Sequence, residues 1–253
     1  MNSHQFDCIL VSLYVLVLKG NRSIEMLKHI FKILFIISTF TLVTAQSWAH
    51  VPYFEHNDFS AKQPFTVEYS IEQSLAIYAW LENNDLGNSG DIDVFVFRIN
   101  EPTSVYLEVI VPVCKGYEEF LPWLALAGPG LPGPKASMPF DIPPGYGIEV
   151  IQSGTINEPR DTFYEFFGGK SYYKGPVFDE YITIPGNYYV YIWDPQQKSG
   201  DYVAVLGKKE IWRFRDIIQA FRNTPLIRLG KELHVDCSET LSEDWDELGP
   251  ATH

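Results

Sequence analysis

Cysteine, positive charge and long apolar runs are all scarce in this sequence, and each scarcity excludes something. Three cysteines in 253 residues are too few to carry a spacing pattern of their own. Lys and Arg number 19 against 32 Asp and Glu, a formal charge of −13. That balance argues against a nucleic-acid partner, because phosphate binding needs clustered positive charge. No apolar run reaches the roughly 20 residues that a bilayer-spanning helix requires. The nucleophile signature G-x-S-x-G and the zinc signature H-E-x-x-H are both absent. "GGKS" at residues 168–171 lacks the earlier glycine of a phosphate loop, with Tyr164 in its place.

What is present begins with a leader. Residues 33–43, "ILFIISTFTLV", carry no charge, follow Lys28 and Lys32, and precede small residues. Basic, apolar and small-residue regions in that order predict a secretory signal peptide. Cleavage fits after Ala45 or after Ala49, the latter leaving a proper polar spacer and a mature chain that starts at His50. Residues 1–25 read as an upstream extension, with Met26 as the more natural start. The expected organisation is a leader over 1–49, a β domain over 50–207, a helical segment over 208–236 and an acidic, disordered tail over 237–253. Four of the 19 basic and two of the 32 acidic residues precede His50, so the mature chain carries 15 against 30. Such a balance suits a soluble protein outside the cytoplasm.

Period-two alternation dominates the mature region. "LAIYAWL" places Leu75, Ile77, Ala79 and Leu81 on one face, and "DVFVFRI" does the same with Phe95, Phe97 and Ile99. "SVYLEVIVPV" sends Val105, Leu107, Val109, Val111 and Val113 one way. "YYVYIWD" and "DYVAVLG" continue the rule. Runs this short, rich in β-branched and aromatic residues, are strands. Gly- and Pro-rich turns separate them without intervening helices, which predicts an all-β antiparallel β-sandwich. One short C-terminal helix is expected in "EIWRFRDIIQAFRN", stopped by Pro225. Its Trp212 and Ile218 face should pack on the sheet, leaving the arginines in water. Arg213, Arg215, Arg222 and Arg228 make this the one basic region, and contact with anionic lipid is a second use for it.

The strands resemble a family. "SLAIYAWLENN", "GDIDVFVFRINEPTSVYLEVIVP" and "GNYYVYIWDPQQKSGDYVAVLG" are similar to the bacterial pre-peptidase C-terminal domain over residues 71–113 and 183–207. The resemblance implies a β-sandwich of the jelly-roll kind that binds polymers or aids secretion. This chain departs from the family in carrying no catalytic domain, and in its aromatic insertion and C-terminal helix.

Four groups of residues carry candidate chemistry. A mature N-terminal His50 would offer amine and imidazole to Cu(II), with His56, His234 or His253 completing the site, as in copper oxygenases that attack polysaccharides. The competing reading is a frayed terminus. Asp91 and Asp93 in "GDIDVF" present hard oxygens to one side for Ca²⁺; a solvated turn is the bland alternative. Asp194 and Asp201 flank a later turn and read the same way. Tyr164, Phe166, Phe167, Tyr172 and Tyr173 concentrate aromatic area between glycines, either as a stacking platform for sugar rings or a partner protein, or as a plug for the sandwich end. Cys114 and Cys237 could pair outside the cytoplasm; the sequence favours free thiols, one buried and one in the tail.

These readings predict an exported, non-catalytic sandwich, secreted, periplasmic or on the cell surface, that binds a polymer or a protein partner through end loops. A His50-centred copper oxidase, a carboxylate hydrolase and a structural envelope protein are the alternatives.

Overall fold

Alternation along each strand becomes two stacked sheets in the computed structural model, which describes residues 50–82, 90–235 and Cys237. The leader and its cleavage sites, residues 83–89, His253 and the rest of the acidic tail lie outside the described residues.

The first sheet runs β1 (Val51–Phe54), β3 (Leu75–Leu81), β11 (Gly200–Leu206), β5 (Thr103–Pro112), β9 (Lys170–Ile182), β8 (Thr162–Glu165). The second runs β2 (Phe65–Thr66), β4 (Ile92–Ile99), β10 (Gly186–Trp193), β6 (Trp123–Gly128), β7 (Gly147–Ile151). Strands β3-β11-β5-β9 face β4-β10-β6-β7, and successive strands alternate between the sheets except at the hairpins β6-β7 and β8-β9. That interleaving is the jelly roll. Two edge pairs, β1 with β3 and β2 with β4, are parallel, so the sheets are mixed where an antiparallel sandwich was expected. The remaining paired strands are antiparallel.

The inward faces are those that alternation predicts. Ile77, Leu107, Val109, Ala204 and Leu206 from one sheet meet Phe95, Phe97, Leu124, Val190 and Ile192 from the other in one buried core. Both outer faces are partly covered as well. Tyr78, Val203, Val205 and Tyr172 pack under Ile227, while Met138, Phe140 and Ile142 fold over Ala125, Tyr191 and Trp193. Strands buried on two faces lose the polar half of their alternation, which is why β3 and β11 read as nearly continuous apolar runs.

A register shift falls between Glu108 and Ile110, where β5 passes β9. Gly175 sits opposite, and a β-carbon there would lie 2.2 Å from the Val109 carbonyl oxygen. The bulge needs that glycine.

The helix α1 spans Phe214–Arg228. Pro225 does not stop it; the chain continues helical for three more residues, and Leu229 N–H donates to the Pro225 carbonyl at 3.2 Å. Nor does Ile218 face the sheet: it is 46% exposed, whereas Asp216, Ala220 and Ile227 are buried.

Cys114 and Cys237 are joined in a disulfide, with Cα atoms 4.9 Å apart; the expectation of free thiols is corrected. Sequence spacing could not show this, because the segment after α1 returns to the sandwich through tertiary contacts. Its strap is held by Asp201, which accepts from His234 N–H at 2.9 Å and lies 2.7 Å from His234 Nδ1.

Candidate functional site

Three carboxylates converge at one end of the sandwich. β1 ends at Phe54 and delivers Glu55, whose N–H donates to the Tyr78 carbonyl. Its side chain turns back over the loop: Oε1 accepts from Phe59 N–H at 3.0 Å and Oε2 from Trp80 N–H at 2.9 Å. Asp58 follows on the exposed side of the same loop. Asp93 arrives from β4, sharing the inward parity of Phe95, Phe97 and Ile99, and is fully buried. One ligand oxygen from each of Glu55, Asp58 and Asp93 lies within 4.8 Å of the other two.

The electrostatics of this cluster are unfavourable without a cation. Asp93 Oδ2 accepts from the Tyr202 hydroxyl, but buried Oδ1 has no hydrogen-bond partner among the described residues. Burial holds the Asp93 carboxyl well above the usual range, and Glu55 adds to the rise. Glu55 is pushed up to about 7, by burial first and then by Asp58 and Asp91. Asp58 is raised too, by burial and then by Asp91. Buried negative charge of this kind is normally paired or bound to metal. Hard carboxylate oxygens from two segments, the loop after β1 and the start of β4, opening to solvent at Asp58, suit Ca²⁺.

Sequence reasoning reached one of these three residues, Asp93. Asp91 sits beside the cluster as an electrostatic neighbour, its Oδ2 accepting from Glu82 N–H at 2.8 Å. Glu55 and Asp58 were missed; the available signal was "FEHND", acids immediately after a strand.

Against this end lies an open groove of about 450 Å³ lined by Asp91, Ile92, Trp123, Met138, Trp193 and Gln197. Register explains the gathering: Trp193 at the end of β10 pairs with Ile92 at the start of β4 and with Trp123 at the start of β6. The two indoles meet edge to face with centroids 5.9 Å apart. Asp194 shapes the turn beside them, accepting from the N–H groups of Leu121 and Gln196. Asp194 and Asp201 are therefore both committed to structure.

The aromatic loop does not gather its five rings. It is a hairpin between β8 and β9, turned by Glu165, whose carboxylate accepts from Phe167 and Gly168 N–H. An acid occupies the place a phosphate would need, which disposes of "GGKS". Tyr172 is buried in the outer-face cluster, and Tyr173 lies under the Arg160 guanidinium at 4.4 Å. Phe167 is half-buried. Tyr164 and Phe166 alone project, at 51% and 79% exposure, and they meet edge to face at 5.1 Å. Alternation across the hairpin splits the set, so a flat platform is not formed.

The copper pair is not assembled either. His50 and His56 stand at opposite ends of β1, whose four residues alone span roughly 13 Å. His50 Nδ1, the nitrogen that could chelate with the residue's own amine, is bonded to Ser74 Oγ. Burial lowers the His50 imidazole to about 4.

No family model matches the chain, and no curated protein does. Among solved structures, the chain is similar to the pre-peptidase C-terminal domain of a collagenase from Bacillus anthracis. Identity is 11%, the TM-score is 0.29, and the match covers 62% of this chain and 94% of that one. The jelly-roll assignment rests on the strand pairing itself.

Proposed function

We propose that this protein is a non-catalytic binding sandwich that works outside the cytoplasm and holds an extracellular carbohydrate polymer in its end groove. The observation that carries the reading is the groove itself. Trp123, partly exposed and backed by buried Trp193, offers aromatic area at low entropic cost, and Gln197, Ser137 and Asp91 line the groove with hydrogen-bonding groups. A Ca²⁺ ion held by Glu55, Asp58 and Asp93 would offset most of the cluster's negative charge and pin the β4 entry that forms one groove wall. Two features support an extracytoplasmic setting: the leader sequence and the Cys114–Cys237 bridge, which persists in oxidising compartments. Among the described residues, no helix is long and apolar enough to cross a membrane.

The test is titration calorimetry against a panel of soluble polysaccharides with calcium present. One or more should bind wild type, and Trp123→Ala should weaken that binding at least tenfold in protein whose retained fold is checked by circular dichroism, with Tm lowered by the lost packing on Trp193. Absence of binding across the panel, or equal binding by the variant, overturns the groove as the site.

A further inference from the structure

The helix α1 is built inside out. At about 100° per residue, Phe214, Ile217, Ile218, Phe221 and Pro225 fall within an arc of about 100°, the width of a core-facing stripe. Such a stripe normally faces the sheet. Here it faces solvent: Phe214 is 80% exposed, Phe221 75% and Ile218 46%. The opposite face carries the polar residues. Gln219 Nε2 and Asn223 Nδ2 both donate to the Pro52 carbonyl, at 2.8 and 3.0 Å. Buried Asp216 accepts from Arg213 N–H and from Gln73 Nε2. These bonds fix the rotation of the helix, so its orientation is specified by polar contacts and not by burial of its apolar side.

The ridge is continued beyond the helix. Arg228, in its last turn, donates from Nε to the Phe167 carbonyl at 3.0 Å, tying the loop that carries exposed Phe166 to the helix end. Leu229, 71% exposed, follows directly. A groove of about 650 Å³ runs along one flank between Phe167, Trp212, Phe221 and Arg228.

Charge is segregated onto the same segment. Residues 211–231 hold five cations and one acid, the buried Asp216, in a chain whose net charge is −13. Arg215 pairs with Glu68 at 2.9 Å, while exposed Arg222 has no ion-pair partner among the described residues.

We propose that this ridge seats the protein on an anionic phospholipid surface. An apolar stripe edged by arginines is the pattern of a helix lying in the plane of a bilayer interface, its phenylalanines below the headgroups and its guanidiniums among the phosphates. Two features favour lipid over a protein partner. Phe214 and Phe221 stand 80% and 75% exposed, Phe221 on the rim of an open groove, whereas protein hot spots sit in fully desolvated, packed pockets. The acidic remainder of the molecule is repelled by an anionic surface, which would orient approach with the helix first. The proposal is independent of the end groove, which involves other residues.

The experiment is co-sedimentation of the full chain with vesicles of phosphatidylglycerol and phosphatidylcholine, and with phosphatidylcholine alone, at low and high salt. Wild type should pellet with the anionic vesicles at low salt, at least tenfold less with neutral ones, and less as salt rises. Phe214→Ser combined with Phe221→Ser should abolish pelleting at unchanged Tm, since both side chains are exposed. Arg222→Gln should weaken it without affecting neutral vesicles. Pelleting that persists in the double-serine variant, including binding through residues 1–49, overturns the proposal. So does a folded protein that binds no vesicle. A concentration-dependent dimer in analytical ultracentrifugation, dissolved by the double-serine change, also overturns it and makes the ridge a seam between two copies.

Discussion

The Tyr202 hydroxyl on β11 donates to Asp93 Oδ2 on β4, a hydrogen bond between the two sheets at the end where Glu55 and Asp58 converge. It is the one hydrogen bond Asp93's side chain makes among the described residues, and Oδ1 is left buried without a partner. Two consequences can be measured. Tyr202→Phe leaves both oxygens unsatisfied and should cost about 1–3 kcal/mol. Calcium should stabilise wild type by about 2.7 kcal/mol when present a hundredfold above its Kd. Asp93→Asn should lose the calcium response, yet at pH 8 without calcium it should be at least as stable as wild type, because a buried charge is gone. Thermal melts with calcium and with chelator check both. Equal calcium responses in wild type and Asp93→Asn would sink the site.

The same cluster dictates a pH dependence. Glu55 titrates near about 7 when folded against an ordinary 4.5, so the folded state favours its proton. The stability this contributes is fully present below about 4.5 and is lost as pH rises through about 7. His50 works the other way. Its imidazole is lowered from 6.5 to about 4, so its stability is present above 6.5 and lost as pH falls. The clean observable is therefore the Tm difference between wild type and Glu55→Gln, which should shrink or reverse between pH 4.5 and 7 in chelator. Calcium should restore wild type most at the alkaline end, where the ion has no proton to displace. A difference that stays constant across this window would refute the assignment.

The bridge between Cys114 and Cys237 spans 123 positions. In the chain-entropy model, closing so long a loop contributes about 5 kcal/mol. Cys237→Ser should lower denaturant stability by up to that amount. It should also loosen His234 from Asp201, read as faster amide exchange at His234. Unchanged exchange there would mean that the Asp201 contacts alone hold the strap.

Alternation determined the sandwich. Leu75 to Leu81, Phe95 to Ile99 and Val105 to Val111 place alternate apolar side chains in the core between the sheets as their spacing required, because a one-residue slip would turn each set to the other face. The acidic balance and the single basic segment were likewise visible in composition. What only tertiary structure decided depended on residues far apart in sequence. Glu55 and Asp58 join Asp93 because β1 is laid beside β3, a parallel pairing that no local pattern encodes. Cys237 reaches Cys114 because the chain doubles back after α1. The five aromatics separate because a hairpin places Tyr172 inward and Phe166 outward. The helix shows the limit most directly. Its 3.6-residue periodicity marked an apolar face but could not say which way that face would turn. Hydrogen bonds from Gln219 and Asn223 to Pro52, and from Gln73 to Asp216, set the rotation, and they leave Phe214 and Phe221 in water.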